Sequence, residues 1–283
     1  MSSWGPDARR AAISVTFDNL GEAADLERGL WPEDEPLGRH FSVKRTLPRI
    51  LDLLDEHGLH AAFFVEGINA TLYPEALREI ADRGHEVGYH GWRHEYWYGL
   101  SPPEEARLLE RGVREMDKLG VRPHGSRPPG GRLNPSSLSL LESLGFTYCS
   151  PAGAGAGMLE GVAILPFDWR LIDAYYCLPR FGDLRRADKG SSDPLPPSRF
   201  RETLKAALES TVRNGGYLSL LFHPFLVEKQ SGHLEVLRET LGDLRRLVED
   251  GAVWCARCRD VAAWMREHAE RAGGELRLDR TET

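Results

Sequence analysis

The stretch Glu86-Val87-Gly88-Tyr89-His90-Gly91-Trp92-Arg93-His94 decides how the rest of the chain is read. Its first half is a short apolar run of the kind that forms a buried strand, and two histidines four positions apart follow directly at its C-terminal end. A helical turn over 90–94 would bring both imidazoles to one side, about one turn apart, within reach of a single divalent metal ion. Alone, an H-x3-H is a weak signal, because surface histidine pairs at this spacing are common. Its weight depends on what surrounds it in the chain.

Outward from that stretch the same pattern repeats. Short apolar, β-branched runs predict strands over 11–17, 61–65, 86–89, 124–127, 146–150, 162–167, 217–222 and 252–256. Helical periodicity fills most of the intervals, over 43–57, 74–83, 102–119, 135–144, 200–214, 234–249 and 259–269. Gly58 and Gly84 supply stops, Ser101 and Glu104 form a capping box, and Asn134-Pro135 reads as an N-cap followed by proline at the first helical position. The segment 20–41 reads as a long loop, and 179–199 as an irregular excursion serving as a lid or a dimer contact. Recurring strand–helix units imply a largely parallel sheet. Without a dinucleotide glycine fingerprint they favour a closed or nearly closed α/β barrel over an open sheet. The expected organisation is one domain over 1–270 and a flexible, charged tail over 271–283.

At 283 residues with 41% apolar content, the chain is long enough for a sizeable core. It contains no apolar run near the roughly 20 residues needed to span a bilayer, and its first ten residues lack a signal-peptide core. The expected location is therefore cytoplasmic. A formal charge of −7 argues against nucleic acid or an anionic membrane surface as partner. Four cysteines do not make a disulfide framework at this size. Cys255-Ala256-Arg257-Cys258 superficially matches a thioredoxin redox pair, but it straddles the end of a strand late in the chain rather than opening an early helix. A buried Cys255 and an incidental Cys258 are the preferred reading.

Asp18, His90, His94, Arg127, Asp168 and His223 all fall just beyond predicted strand ends. In a β/α barrel those ends meet at one rim, where active sites sit. Singly, each has an ordinary structural explanation: a loop cap for Asp18, an ion pair for Arg127 with Asp168, a strand-end hydrogen bond for His223. Together they form a constellation. Thr16-Phe17-Asp18-Asn19, His90 to His94, Arg127-Pro128-Pro129-Gly130-Gly131, Asp168 to Asp173 and Leu220-Leu221-Phe222-His223-Pro224 resemble, in order, the five motifs of the polysaccharide deacetylase (NodB-homology, carbohydrate esterase family 4) superfamily. The His-Pro pairing of the last is similar to its intracellular branch of peptidoglycan-deacetylase-like and allantoinase-like proteins.

The resemblance implies a deformed (β/α)7 barrel and hydrolysis of a non-peptide carbon–nitrogen bond. It implies a divalent metal, zinc by preference, held by His90, His94 and the residue at position 19. Asp18 would be the general base, His223 the acid, Asp168 or Asp173 the partner of His223, and Arg127 the residue holding Asp18 in place. Gly130 would offer a backbone N–H to the oxyanion. Where the family pattern has a second aspartate, this chain has Asn19, a neutral and poorer zinc ligand. Trp92 and Trp169 are expected to stack on a sugar or ring, or to be ordinary packing. The expected substrate is an acetylated amino sugar or related small molecule. A metal-independent cyclic ureide or imide hydrolase and a catalytically silent carbohydrate-binding barrel stand as alternatives. A homo-oligomer is compatible with the sequence.

Overall fold

A computed structural model describes residues 3–268 and 275–279. The strands are β1 (Ala11–Asp18), β2 (Ala61–Val65), β3 (Glu86–Tyr89), β4 (Gly125–Ser126), β5 (Tyr148–Cys149), β6 (Gly153–Ala154), β7 (Gly157–Leu159), β8 (Val162–Ile164), β9 (Gly216–Phe222), β10 (Val253–Cys255) and β11 (Arg277–Leu278). β1 is buried along its whole length because it is flanked on both sides. On one side β9 follows it residue for residue, from Ala11 opposite Gly216 to Phe17 opposite Phe222. On the other side β10 takes Ala11–Ile13 and β2 takes Val15–Asp18.

From β9 the sheet runs through β1, β2, β3, β4 and β5 to β8, every neighbouring pair parallel, with β7 added antiparallel at the edge. It curls back on itself, and a single parallel bridge between Ile172 and Leu221 closes the gap to β9. The fold is thus the expected α/β architecture, a deformed (β/α)7 barrel. Its distortion lies where β10, rather than β2, pairs with the first half of β1 and where β8 gives way to irregular chain before Ile172.

Helices cover the outside by burying one apolar stripe each. Leu47–His57 turns Leu47, Ile50, Leu51 and Leu54 inward, and Gly58 ends it in the left-handed conformation that glycine adopts without steric cost. In Pro102–Asp117 the Glu104 carboxylate accepts the Ser101 N–H at 3.1 Å, as the capping box predicts. The helix expected from Pro135 begins later, at Ser137–Ser143. Instead of capping it, the Asn134 amide donates to Trp97 O at 2.6 Å and to Glu105 Oε2 at 2.8 Å, tying this loop to the preceding helix. Pro197–Asn214 opens three residues before the expected start, with proline in its first turn.

The loop expected over 20–41 holds a short helix, Ala23–Glu27. Buried Glu22 orders it, accepting from the Tyr73 hydroxyl and, at 2.7 Å, from the Gly38 N–H. The last helix is Cys258–Glu267, and the expected end at Ala269 lies outside the described residues. Much of the tail, 271–274 and 280–283, also lies outside them. Within it, however, Arg277–Leu278 is a strand paired with Gly153–Ala154 rather than a frayed end, because the backbone of the Gly/Ala-rich segment is bare enough for a second strand to approach. Burial pushes the Cys255 and Cys258 thiols up to about 12, so neither is a thiolate near neutrality and a redox pair has no support. Cys258 is the more deeply buried of the two, the reverse of the expectation. Among the described residues no helix is long and apolar enough to cross a membrane.

Glu86, at the start of β3, is fully enclosed: one carboxylate oxygen accepts from the Tyr148 hydroxyl at 2.8 Å and the other from the Arg259 N–H at 2.9 Å. Burial raises its pKa from 4.5 to about 7 despite those hydrogen bonds. The folded chain therefore binds this proton more tightly than the unfolded one, and stability is lost as pH rises from about 4.5 to 7. Glu86→Gln removes the charge while its amide oxygen can still accept the Arg259 N–H and its NH2 can donate to the Tyr148 oxygen, reversing that bond. Measured by urea unfolding, the variant should match the parent near pH 5 and exceed it at pH 8 by up to about 3 kcal/mol; equal slopes against pH would refute the assignment.

Candidate active site

Arg127 follows the last residue of β4 and points into the barrel, where it is fully buried. All five of its N–H groups have acceptors. Nη1 donates to Asp18 Oδ1 at 2.7 Å and Thr16 Oγ1 at 3.0 Å; Nη2 donates to Ser150 Oγ at 2.8 Å and Ser219 Oγ at 3.1 Å; Nε donates to Ser150 Oγ at 3.2 Å. Phe64 and Phe167 sandwich the guanidinium at 4.2 and 4.9 Å. The anion it fixes, Asp18, ends β1, and its second oxygen, Oδ2, stands 3.9 Å from His90 Nε2.

The backbone of Arg127 acts on the same group of residues. Its carbonyl oxygen, which can only accept, meets His90 Nδ1 at 2.8 Å. Nδ1 therefore carries the proton, and the Nε2 lone pair is turned to the cavity. Burial lowers the His90 pKa and, together with neighbouring His90, lowers that of His94 well below its ordinary value. Both rings are thus neutral, the form that binds a metal.

The helical turn expected over 90–94 is absent. Gly91 and His94 have φ of 79° and 76°, and Glu95 accepts the Trp92 and Arg93 N–H groups at 2.7 and 2.8 Å where helical carbonyls would have done so. The two imidazoles nevertheless meet, their ring centres 5.0 Å apart. Asn19 completes the group. It has φ of 63°, a conformation asparagine tolerates, and its Oδ1 is buried with no hydrogen-bond partner. Among the described residues no trio of His, Cys, Asp or Glu is arranged to hold a metal. The third donor here is an amide oxygen, and an unpartnered buried oxygen beside two neutral imidazoles is chemically suited to a cation.

On the other side of the rim, His223 follows β9. Asp173 grips it twice: Oδ1 lies 2.6 Å from the ring Nδ1, and Oδ2 accepts the backbone N–H at 2.7 Å. The expectation that Asp168 fills this place is corrected. Asp168 is half-exposed and caps the turn Trp169–Leu171 by accepting the Arg170 N–H at 2.8 Å. Five residues further on, the chain has passed the Ile172 bridge to β9, and only there does a carboxylate come level with His223.

Asp18, Asn19, His90, His94, Gly130 and His223 line one cavity of about 510 Å3, with Trp169 among its walls. Trp92 does not line it. That indole is 7% exposed and packs beneath the Arg111 guanidinium at 3.8 Å, so its expected substrate contact is corrected to a packing one. Gly130, at φ 72°, is hard against Tyr96, which a Cβ there would approach to 2.9 Å. Tyr96, stacked on Tyr98 with ring centres 5.4 Å apart, makes one wall, and Trp169 packed on Phe167 and Phe181 makes another. Tyr98, Arg132, Phe167, Arg180 and Phe181 went unread in the sequence. The only signal for Arg180 and Phe181 was their place in the Pro- and Gly-rich excursion.

The polysaccharide deacetylase family model matches residues 6–149, just over half of the chain. The chain belongs to the polysaccharide deacetylase family. It is 33% identical over 153 residues to the peptidoglycan deacetylase-like protein FGM2 of Gibberella zeae, an alignment covering 50% of this chain and 44% of that protein. It therefore spans under half the length of that relative. A Mycobacterium smegmatis structure classed as a polysaccharide deacetylase superposes with a TM-score of 0.80 at 28% identity, covering 100% of this chain and 98% of that one. The Puue allantoinase structure shares the fold, with a TM-score of 0.73 at 19% identity over 93% of this chain and 92% of its own.

The assignment of Asp173 as the partner of His223 predicts a spectroscopic difference. A strongly downfield Nδ1 proton from His223 should be visible by NMR in the parent and in Asp168→Asn, and should shift upfield in Asp173→Asn. The opposite pattern would restore Asp168 to the role.

Proposed function

We propose that this chain is a hydrolase of a non-peptide carbon–nitrogen bond that removes the acyl group from an N-acetylated amino sugar or related small molecule. The observation that carries the reading is the pairing, across one cavity, of a carboxylate fixed by Arg127 with an imidazole fixed by Asp173. Residues 1–270 would make up the single catalytic domain.

Asp18 is the proposed general base. Arg127 occupies its Oδ1, leaving Oδ2 to take the proton of an attacking water. His223 is the proposed general acid. With Nδ1 held by Asp173, its Nε2 faces the cavity and can protonate the departing amine, while the carboxylate stabilises the imidazolium form. The Gly130 N–H is available to the oxygen that develops negative charge, and the positive φ there orients it.

His90, His94 and Asn19 are the residues that would hold a divalent metal, zinc in view of the two imidazoles. Such an ion, when bound, supplies Lewis acidity to the acyl carbonyl and lowers the pKa of a bound water. The donor set is wholly neutral, which favours weak retention. That same neutrality supports a second reading, a cyclic ureide or imide hydrolase that works without tightly held metal.

Two experiments test the scheme. Asp18→Asn and His223→Ala should each lower kcat for amide cleavage by about 10² to 10⁴, measured per folded molecule below the melting temperature of each variant, since Asp18→Asn also breaks a buried ion pair and lowers stability; retention of near-parental kcat in either would remove that residue from the mechanism. Calorimetry with Zn2+ should give a Kd at least tenfold lower for Asn19→Asp than for the parent, since a carboxylate replaces an amide oxygen at a position where aspartate tolerates the same backbone. Unchanged affinity would exclude position 19 from the metal site. Full activity of the parent in excess chelator would favour the metal-independent reading.

A further inference from the structure

The catalytic cavity is continuous with a second cavity of about 290 Å3, and Asn19 and Arg180 line both. Arg180 lies in the turn Pro179–Phe181, exposed at the boundary between the two spaces. Arg28 and Lys229 stand in the wall of the second cavity. Asp25 is the acidic residue of that wall, and His40 also lines it.

Among the described residues, no Asp or Glu oxygen lies within 4.0 Å of the charged nitrogens of Arg180, Arg28 or Lys229. Other arginines nearby are paired, Arg170 with Asp188 at 2.7 Å and Arg93 with Glu27 at 3.5 Å. Arg132, on the opposite side of the catalytic cavity, lies over the Tyr98 ring at 4.1 Å. The Phe181 ring lies 5.3 Å from the Arg180 guanidinium, but among the described residues no group of opposite charge within 4.0 Å offsets the positive charge beside Asn19, where a substrate would enter.

We propose that Arg180, with Arg28 and Lys229 behind it, forms an anion subsite that holds a carboxylate carried by the substrate. The preferred substrate of the reaction proposed above is then an N-acylated compound bearing a carboxylic acid, rather than a neutral amino sugar. Guanidinium groups suit this task, since their planar fork matches a carboxylate in two parallel hydrogen bonds. Arg28 and Lys229 are exposed, and unscreened positive charge raises the encounter rate of an anion. Lys229 and Arg28 extend the positive potential away from the reacting atoms, so the carboxylate is held at the end of the substrate remote from Asp18 and His223. At the reacting end the Asp18 charge is offset by Arg127, 2.7 Å away.

The inference rests on the amide-hydrolase reading for its meaning but not for its test. N-acetylmuramic acid and its methyl ester share one acetamide and differ in a single carboxylate charge. Calorimetry of both against the parent, Arg180→Gln, Arg28→Gln and Arg180→Lys, with amine release followed separately, separates the two claims. The acid should bind the parent at least tenfold more tightly than the ester. That preference should fall severalfold or more in each Gln variant and be partly restored in Arg180→Lys, with melting temperatures unchanged. Equal binding of acid and ester by the parent, or a preference that survives in both Gln variants, would overturn the subsite. A charge preference that depends on Arg180 without release of amine from either compound would sustain the subsite and refute the hydrolase reading. Amine release without charge preference would do the reverse.

Discussion

The interaction on which the rest of the molecule depends is the buried pair of Arg127 and Asp18 in the throat of the barrel. Taking two charges out of water costs several kcal/mol each, and the cost is recovered only where geometry is good and every remaining donor is satisfied. Here the guanidinium is satisfied by residues from β1, β9 and the segment after β5, so the pair can exist only if the barrel has closed around it. The fold and the site are thus coupled by one residue. Arg127 holds the Asp18 carboxylate with its side chain, and with its carbonyl it selects the His90 tautomer.

A second tier of buried carboxylates shapes the loops that carry the remaining groups. Glu95 replaces the hydrogen bonds of the helical turn that 90–94 does not form, and so permits the left-handed His94. Glu66 accepts from the Leu20 N–H at 3.3 Å and from the Asn69 amide at 3.2 Å, and in this way steadies the loop that turns Asn19 toward the cavity. Burial raises its pKa well above the ordinary carboxylate range, as befits an acid enclosed beside Asp18. Asp173 does for His223 what Arg127 does for Asp18. Each reacting group proposed for the cavity is therefore held by a buried partner, which is how a site keeps its geometry without the help of substrate.

The walls of the cavity are built differently. Tyr96, Tyr98, Trp169 and Phe181 come from irregular chain beyond the strand ends, and the cationic residues at the rim are solvent-facing. Loops of this kind vary without disturbing a barrel, so the reaction centre and the substrate preference are free to change independently. Gly130 illustrates the division: the backbone there serves the reaction centre, while the adjacent surface is covered by a tyrosine from another loop.

The amino-acid sequence by itself determined the alternation of strands and helices, because burial on both faces of a parallel strand and on one stripe of a helix leaves periods that can be counted. β2 and β3 begin and end where the pattern says, and Asp18, His90, His94, Arg127 and His223 lie at strand ends as read. Short strands such as β4 were overestimated, since two bridging residues leave almost no period. Which aspartate reaches His223 was decided only by the tertiary structure. Asp168 and Asp173 are equally plausible along the chain, and the Ile172 bridge to β9 sets the level of one and not the other. The same holds for Trp92, whose burial depends on Arg111 from a separate helix, and for the cationic rim, where Arg28, Arg180 and Lys229 come from three distant segments. Local periodicity records what a residue faces; it does not record what lies on the other side of the space it faces.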